Sequence, residues 1–257
     1  MSLRTTLYRQ KEKVKRSIQR MSGGCCTVLL YHRVIDLKYD PQQLCVSPQR
    51  FSEQLSFLKK SYTFLSIDEF HDILHNNKAF PKKSLLITFD DGYADNYYNA
   101  LPILEQLNLP AIFYVSTKNI NTDELMWWDE LDLIFQKRGD VNALLKKHNL
   151  TDAESLYKYY LVKCKTASSL DERNSLLNEI RSIAELTAAD KQNHKFLSTQ
   201  ELKKLGASKQ VTIGAHTVNH LSLAHINDDD KKQEIENSVK ALSILGAKIE
   251  HYSFHYV

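Results

Sequence analysis

The sequence contains few cysteines, and their spacing excludes two classes of small domain. The 257 residues include four of them, Cys25, Cys26, Cys45 and Cys164. No pair has the C-x-x-C spacing of a zinc knuckle, and the adjacency of the first two does not suit a disulfide framework. We therefore predict four reduced thiols, most of them buried.

Long apolar runs and a marked excess of one charge are also missing. No segment approaches the roughly 20 apolar residues that span a bilayer, and the first residues lack the apolar region of a signal peptide. We therefore predict a cytoplasmic protein. The net charge of +3 is too small and too dispersed to indicate a nucleic-acid partner.

Basic residues are nevertheless concentrated near the start of the chain. Residues 4–20 carry seven arginines and lysines against a single acid, Glu12, and their apolar residues follow a helical stripe. This pattern fits peripheral contact with an anionic membrane surface. It also fits a solvated helix that docks on the domain through a thin apolar face, which is the interpretation we favour. In both cases we predict a basic N-terminal helix over residues 1–22.

Apolar runs alternate with amphipathic segments along the remainder of the chain. Runs typical of strands covered on both faces occur at 25–34, 84–90 and 110–116, and helical patterns separate them. This alternation predicts a mostly parallel sheet or a barrel. Residues 127–195 differ, because their patterns are helical and polar throughout. We predict one domain over residues 23–257 with a helical insertion at 127–195.

Two carboxylates directly follow one of these apolar runs. In "SLLITFDDGYADN", Asp90 and Asp91 stand at the mouth of the predicted core. Asp-Gly is a common turn dipeptide, so a simple turn would explain the pair. The order of residues in "DDGYAD" does not match a calcium-binding loop. A turn and a functional site are therefore the two interpretations of this stretch.

Two histidines follow another predicted strand. His216 and His220, in "GAHTVNH", are four residues apart, so in a helix or a tight turn both imidazoles face the same side. If the sheet is parallel, the strands "VTIG" and "LLITF" end at the same rim. A carboxylate and two imidazoles would then meet there, as the three ligands of hydrolytic metal sites do. The other carboxylate could take a proton from water.

Together, "TFDDGY" and "HTVNH" resemble the first two motifs of the polysaccharide deacetylases, the carbohydrate esterase family with NodB homology. The resemblance extends from Cys25 over nearly the whole chain and includes "LLYHRV" and "WWDEL". It implies an α/β fold of the distorted (β/α)7-type barrel and a divalent metal, usually zinc. Carried over to this sequence, it makes Asp90 the general base and Asp91, His216 and His220 the metal ligands.

Further residues are expected to contact the sugar. His32 ends the first predicted strand, where it either lines the same rim or belongs to the core. Tyr93, Trp127 and Trp128 are candidate aromatic walls, and the tryptophans could instead pack the insertion against the barrel. The resemblance predicts hydrolysis of an N-acetyl or O-acetyl group on a bacterial cell-surface polysaccharide or its precursor.

The sequence departs from the family pattern at "YSFHYV". Family members continue with further strands and a late histidine that acts as general acid, whereas neither His251 nor His255 lies in a motif that assigns this role. We therefore expect a barrel that is incomplete at the C-terminus, with an exposed edge. Two alternatives to an active enzyme remain: a metal- or glycan-binding protein without turnover, and a metal-free structural α/β domain.

Overall fold

The computed structural model describes residues 24–254 and contains a parallel β-sheet with helices around it. The strands are β1 (Cys26–Tyr31), β2 (Arg33–Val34), β3 (Cys45–Val46), β4 (Thr63–Phe64), β5 (Ser84–Phe89), β6 (Ala111–Val115) and β7 (Val211–Ala215). The main sheet has the order β1-β5-β6-β7, and β4 pairs with the start of β5. β2 and β3 form a separate parallel pair. The predicted α/β fold with a parallel sheet is confirmed, and over the described range the sheet is open.

Helices connect the strands, as the alternating sequence pattern predicts. They are α1 (Pro48–Lys59), α2 (Ile67–His75), α3 (Leu101–Leu107), α4 (Trp127–Gln136), α5 (Asn142–His148), α6 (Ala153–Lys165), α7 (Leu170–Ile180), α8 (Ala188–Lys191), α9 (Thr199–Gly206) and α10 (Asp228–Ile244). Six of them, α4 to α9, lie between β6 and β7, and the first five of these lie within residues 127–195. The segment predicted as a helical insertion is therefore helical, and its division into a separate structural unit stays a prediction.

Local signals fix where several helices begin. Ser66 and Glu69 form a reciprocal capping box at the start of α2, in which each side chain accepts a hydrogen bond from the other residue's backbone N–H. Pro102 lies near the start of α3, and the turn before it, Asn96–Ala100, is π-helical. Proline has no N–H to donate, so the regular helical hydrogen-bond pattern changes here. The sequence "ADNYYNALPILEQLN" predicts a helix interrupted by Pro102, and the structure confirms this prediction.

The core lies on both faces of β5, whose six residues are all buried. On one face Phe89 stacks on Phe113, with ring centroids 4.4 Å apart, and also contacts Phe51 of α1. On the other face Leu86 packs with Ile67 of α2. Such burial of both faces is typical of the central strand of a parallel sheet.

The prediction that the first strand is covered on both faces is wrong. Val28 and Leu30 of β1 are 48% and 54% exposed. Within residues 24–254, β1 pairs with β5 alone, so it is an edge strand. No helix of the described segment covers these two side chains, and apolar composition alone does not reveal that difference.

The cysteine prediction is confirmed in part. All four cysteines are unpaired, but only Cys164 is buried. Cys25 is exposed and Cys26 is partly exposed, because they lie at the start of the edge strand. The expectation of mostly buried thiols is therefore wrong.

Two predictions concern the ends of the chain. The sequence "IEHYSFHYV" predicts a last strand, and its described part forms a single parallel bridge, between Ala215 and Tyr252. The predicted N-terminal helix, with the basic residues 4–20, lies outside the described residues. Among residues 24–254 no helix has the length and apolar composition needed to cross a membrane.

A buried arginine joins the sheet to the helical segment. Arg33 is 2% exposed, and its Nε donates to Oδ2 of Asp95 at 3.0 Å. Its Nη1 lies 3.9 Å from Oδ1 of Asp129 on α4 and 3.2 Å from Nδ1 of His194. Burying a guanidinium is costly unless carboxylates are close, and here two carboxylates are.

Replacing Asp95 tests this network. Asp95→Ala is expected to lower the free energy of unfolding by about 3–5 kcal/mol, because it leaves the Arg33 charge buried with only a weaker partner. Urea denaturation measures the change. The control is Asp72→Ala, which breaks an exposed pair with Lys78 and should leave the transition unchanged. A wild-type midpoint for Asp95→Ala would contradict the interpretation.

Candidate active site

Strand β6 lies between β5 and β7 and holds the ends of both at one rim. The N–H of Ser116, just after β6, donates to the carbonyl of Asp91 at 3.2 Å. The carbonyl of Val115 in β6 accepts from the N–H of His216 at 3.1 Å. These two hydrogen bonds bring together two motifs that are far apart in the sequence.

The turn after β5 requires an unusual backbone conformation. Asp91 and Gly92 have φ angles of 77° and 89°, in the left-handed region. A Cβ at Gly92 would lie 2.8 Å from Cγ1 of Val115, so the close approach to β6 also requires glycine. The turn interpretation of Asp-Gly therefore holds, and the turn directs both carboxylates to the rim.

The loop after β7 is tightly turned rather than helical. Thr217 and His220 have φ angles of 65° and 53°, and the N–H of His220 donates to Oγ1 of Thr217 at 3.0 Å. The turn places both imidazoles on one side, and their ring centroids are 5.0 Å apart. The shared orientation that the four-residue spacing predicts is present.

Three side chains from the two motifs form a compact group. Nε2 of His220 lies 3.1 Å from Oδ1 of Asp91, and Nε2 of His216 lies 3.7 Å from the same oxygen. One ligand atom of each residue lies within 4.8 Å of the ligand atoms of the other two. Among residues 24–254 this is the one group of that kind. Neither carboxylate oxygen of Asp91 accepts a hydrogen bond from the described residues, although both are buried.

His216 is oriented by the end of the described chain. Its Nδ1 lies 3.0 Å from the carbonyl oxygen of Ser253. A carbonyl can only accept a hydrogen bond, so Nδ1 carries the proton and Nε2 faces Asp91. Such a partner on the second ring nitrogen is typical of histidines that bind metals.

Asp90 lies beside this group in a buried position. Its Oδ2 is 3.8 Å from Nε2 of His216. Burial, and then the neighbouring charge of Asp91, raise the pKa of Asp90 to about 8. Burial, and then the Arg173 charge, lower the pKa of His220 to about 3, which keeps that imidazole neutral. The arrangement therefore combines a neutral nitrogen donor with a carboxyl that titrates near neutral pH.

These groups open into a pocket of about 330 Å³. Both members of each motif line it, and so do His32, Trp127 and Trp128, three of the four residues expected to contact the sugar. Sequence reasoning missed other lining residues, namely Leu30, Gln42, Leu44, Lys165, Ser222 and Phe254. They come from five separate segments, so no single motif could have indicated them.

The expectation that Tyr93 forms a wall of the groove is wrong. Tyr93 is fully buried and does not line the pocket. Its hydroxyl donates to Oδ2 of Asp129 at 2.7 Å and accepts from Nε1 of Trp128 at 2.7 Å. The ring contacts the Arg33 guanidinium, so Tyr93 packs the sheet against α4.

Two charged residues that sequence reasoning missed contact the histidine loop. Arg173 of α7 donates to the carbonyls of Asn219 and His220, and Glu234 of α10 accepts from the N–H groups of Val218 and Asn219. Both lie in amphipathic helices rich in charge, where nothing in the sequence distinguishes them from solvated neighbours.

His251 does not line the pocket. Its Nε2 lies 3.7 Å from Oδ1 of Asp68, and its ring contacts His71. His255 lies outside the described residues. Within the described chain, the pocket histidines are therefore His32, His216 and His220.

Comparison with known proteins decides the family. The sequence model for polysaccharide deacetylases matches residues 77–256, which is more than half of the chain and includes both motifs. The chain belongs to the polysaccharide deacetylase family. The resemblance noted in the motifs is thereby confirmed.

Individual relatives match shorter segments. The poly-beta-1,6-N-acetyl-D-glucosamine N-deacetylase of Escherichia coli (strain K12) is 31% identical over 84 residues, which are 32% of this chain and 12% of that protein. The protein of the same name from Staphylococcus aureus (strain N315) is 34% identical over 94 residues, 36% of this chain and 31% of that protein. The matches therefore span less than a third of either relative.

Solved structures share the fold of this deacetylase-family chain. IcaB from Ammonifex degensii has a TM-score of 0.57 at 18% identity, over 90% of this chain and 74% of that one. The Streptococcus pyogenes deacetylase PplD, in complex with acetate, has a TM-score of 0.54 at 21% identity, over 91% and 74%. At these identities the similarity establishes the fold.

Replacing Gly92 tests the turn that carries the carboxylates. Gly92→Ala is expected to cost about 1–3 kcal/mol for its backbone conformation, and more because the new Cβ would meet Val115. Gly246→Ala is the matched control, since its φ is also positive, at 95°, but no atom lies within 4 Å of the new Cβ. Urea denaturation compares the two variants, and equal losses would contradict the role of the Val115 contact.

Proposed function

We propose that this chain hydrolyses N-acetyl groups of a polysaccharide or its precursor with the help of a divalent metal. The observation that carries the proposal is the group of buried Asp91 and His216 with partly buried His220 in the lining of a pocket, with a second carboxylate, Asp90, beside it. The relatives named as poly-beta-1,6-N-acetyl-D-glucosamine N-deacetylases make a β-1,6-linked N-acetylglucosamine polymer the first substrate to test. An O-acetyl group is the alternative target.

The residues present fit a zinc ion. Two imidazole nitrogens and one carboxylate oxygen are a common donor set for catalytic zinc. The oxygens of Asp91 are buried and accept no hydrogen bond from the described residues, an expensive arrangement unless a cation is bound. Ser253 occupies Nδ1 of His216 and so leaves Nε2 for the ion. A bound zinc ion would supply Lewis acidity toward water and the acetyl carbonyl.

Asp90 is proposed as the general base. It lies beside the proposed ligands, with one oxygen 3.8 Å from Nε2 of His216, and its Oδ1 accepts no hydrogen bond from the described residues. A carboxylate in this position can take the proton of the attacking water.

The pocket walls suit a sugar. Trp127 and Trp128 offer aromatic surface, and His32 and Lys165 offer polar atoms, all of them lining the same cavity as Asp90. Aromatic faces and a few directed polar groups are the usual components of sites that orient small polar ligands. We therefore propose Trp127 and His32 as substrate contacts. Tyr93 has no such role because it is buried.

A second candidate is a metal- or glycan-binding protein without turnover. The specific observation in its favour is that no late histidine of the described segment reaches the pocket, since His251 contacts Asp68 and His71 instead. Cleavage of an amide needs a proton for the leaving amine. Metal content does not separate the two candidates, whereas acetate release does.

Acetate release from acetylated β-1,6-linked glucosamine oligomers, with added zinc, tests the proposal. Asp90→Asn is expected to keep stoichiometric zinc and to lose about 100- to 10,000-fold in rate, because it removes a general base and no ligand. Asp91→Ala is expected to lose both zinc and activity. Asp123→Asn, an exposed carboxylate before α4, is the control and should change neither.

The outcomes separate the candidates. Stoichiometric zinc without acetate release from any acetylated oligomer would favour the binding protein. Zinc content that persists in both Asp91→Ala and His216→Ala would refute the proposed metal site. Full activity of Asp90→Asn would refute the assignment of the base.

A further inference from the structure

A buried arginine from the helical segment holds the loop that carries the two histidines. Arg173 of α7 is 4% exposed. Its Nη1 donates to the carbonyl of His220 at 3.0 Å, and its Nη2 donates to the carbonyl of Asn219 at 2.6 Å. The planar guanidinium thus contacts two consecutive peptide groups, one of which belongs to the His220 residue itself.

Glu234 of α10 holds the same loop through its N–H groups. Its Oε2 accepts from the backbone of Val218 at 2.9 Å and of Asn219 at 2.8 Å, and its Oε1 accepts from Nδ2 of Asn219 at 2.6 Å. The peptide groups of Asn219 are therefore fixed by an anion through the N–H and by a cation through the carbonyl. This double attachment leaves the loop little freedom.

The loop conformation needs such support. His220 has a φ of 53° and Thr217 a φ of 65°. Positive φ is unfavourable for residues with a Cβ, and such residues keep it only where surrounding contacts impose it. The contacts of Arg173 and Glu234 act within three residues of both positions.

Burying the guanidinium of Arg173 has a high desolvation cost. In the described part of the chain no carboxylate oxygen lies within 4 Å of its guanidinium, whereas the buried Arg33 has Asp95 at 3.0 Å. The Nε of Arg173 is buried and has no hydrogen-bond partner there. A buried charge with neutral partners retains much of its desolvation cost. Stability alone therefore does not account for an arginine at this position.

We propose that Arg173 is a positioning residue of the metal site, which holds His220 in the orientation that metal binding needs. This inference rests on the metal-dependent function proposed above. Through this residue, α7 forms part of the support of the site even though it contributes none of the proposed ligands. Residues that orient metal ligands through one further contact typically contribute about 10- to 100-fold to metal affinity.

Zinc affinity of matched arginine variants tests the proposal. Arg173→Met keeps the length of the apolar stem and removes both hydrogen bonds. Arg181→Met is the control, because Arg181 follows the same helix and its guanidinium pairs with Glu130 without touching the histidine loop. The zinc dissociation constant is measured by competition with a chromophoric chelator, and the thermal midpoint is measured with EDTA present.

We expect zinc to bind about 10- to 100-fold more weakly to Arg173→Met and as in wild type to Arg181→Met. Arg173→Lys should lie between, since one ammonium does not reproduce the two-pronged contact. If Arg173→Met fails to fold, the Lys variant provides the same comparison. The visible spectrum of the cobalt-loaded protein should also change in Arg173→Met, which a purely structural role would leave unaltered.

Two results would overturn the inference while leaving the proposed function intact. One is a zinc affinity of Arg173→Met within twofold of wild type. The other is an equal loss in Arg181→Met, which would indicate general loosening of α7. If the wild-type chain itself binds no zinc, the proposed metal site fails, and the inference fails with it.

Discussion

The hydrogen bonds that β6 makes to its two neighbours are the constraint on which the site depends. The carbonyl of Val115 at the end of β6 accepts a hydrogen bond from the N–H of His216. The N–H of Ser116, the next residue, donates to the carbonyl of Asp91. A parallel arrangement places all three carboxyl ends at one rim, but side-by-side register decides whether the carboxylate and the imidazoles meet. If β6 paired with one neighbouring strand one residue out of register, the motif at the end of that strand would move by about 3.3 Å relative to the other motif. Its side chains would then face the opposite side of the sheet. Gly92 is part of the same constraint, because only a residue without a Cβ lets the turn after β5 lie against Val115 of β6.

Charge burial follows two different rules in this molecule. Around Arg33 the cation is matched by carboxylates, so the network holds the sheet and α4 together. At the rim the opposite holds, because Asp90 and Asp91 are buried side by side, and Oδ1 of Asp90 and both oxygens of Asp91 lack donors among the described residues. That arrangement costs stability and raises the pKa of Asp90. Buried like charges of this kind are typical of sites built for chemistry rather than for folding.

The sequence alone predicted those features of the fold and the site that depend only on neighbouring residues. The apolar run before Asp90 predicts β5, and the spacing of His216 and His220 predicts imidazoles on one side, since both depend only on neighbouring residues. Exposure of β1 could not be predicted, because an apolar edge strand and an apolar central strand have the same composition. Tyr93 was misassigned for a related reason: a tyrosine beside two carboxylates suits a groove as well as a core, and only the position of α4 decides. The role of Arg173 depends on how a distant helix docks, which local sequence does not encode.

The contact between His216 and Ser253 has a consequence for the order in which the molecule is made. Synthesis runs from the first residue to the last, so both carboxylates and both histidines leave the ribosome before residue 253. Until that residue emerges, the hydrogen bond from Nδ1 of His216 to the carbonyl of Ser253 cannot form. The sheet can pair while the chain is still attached, since its strands end at Ala215. The orientation of His216 by Ser253 is therefore added only after residue 253 has been made, later than the strands that carry the two motifs.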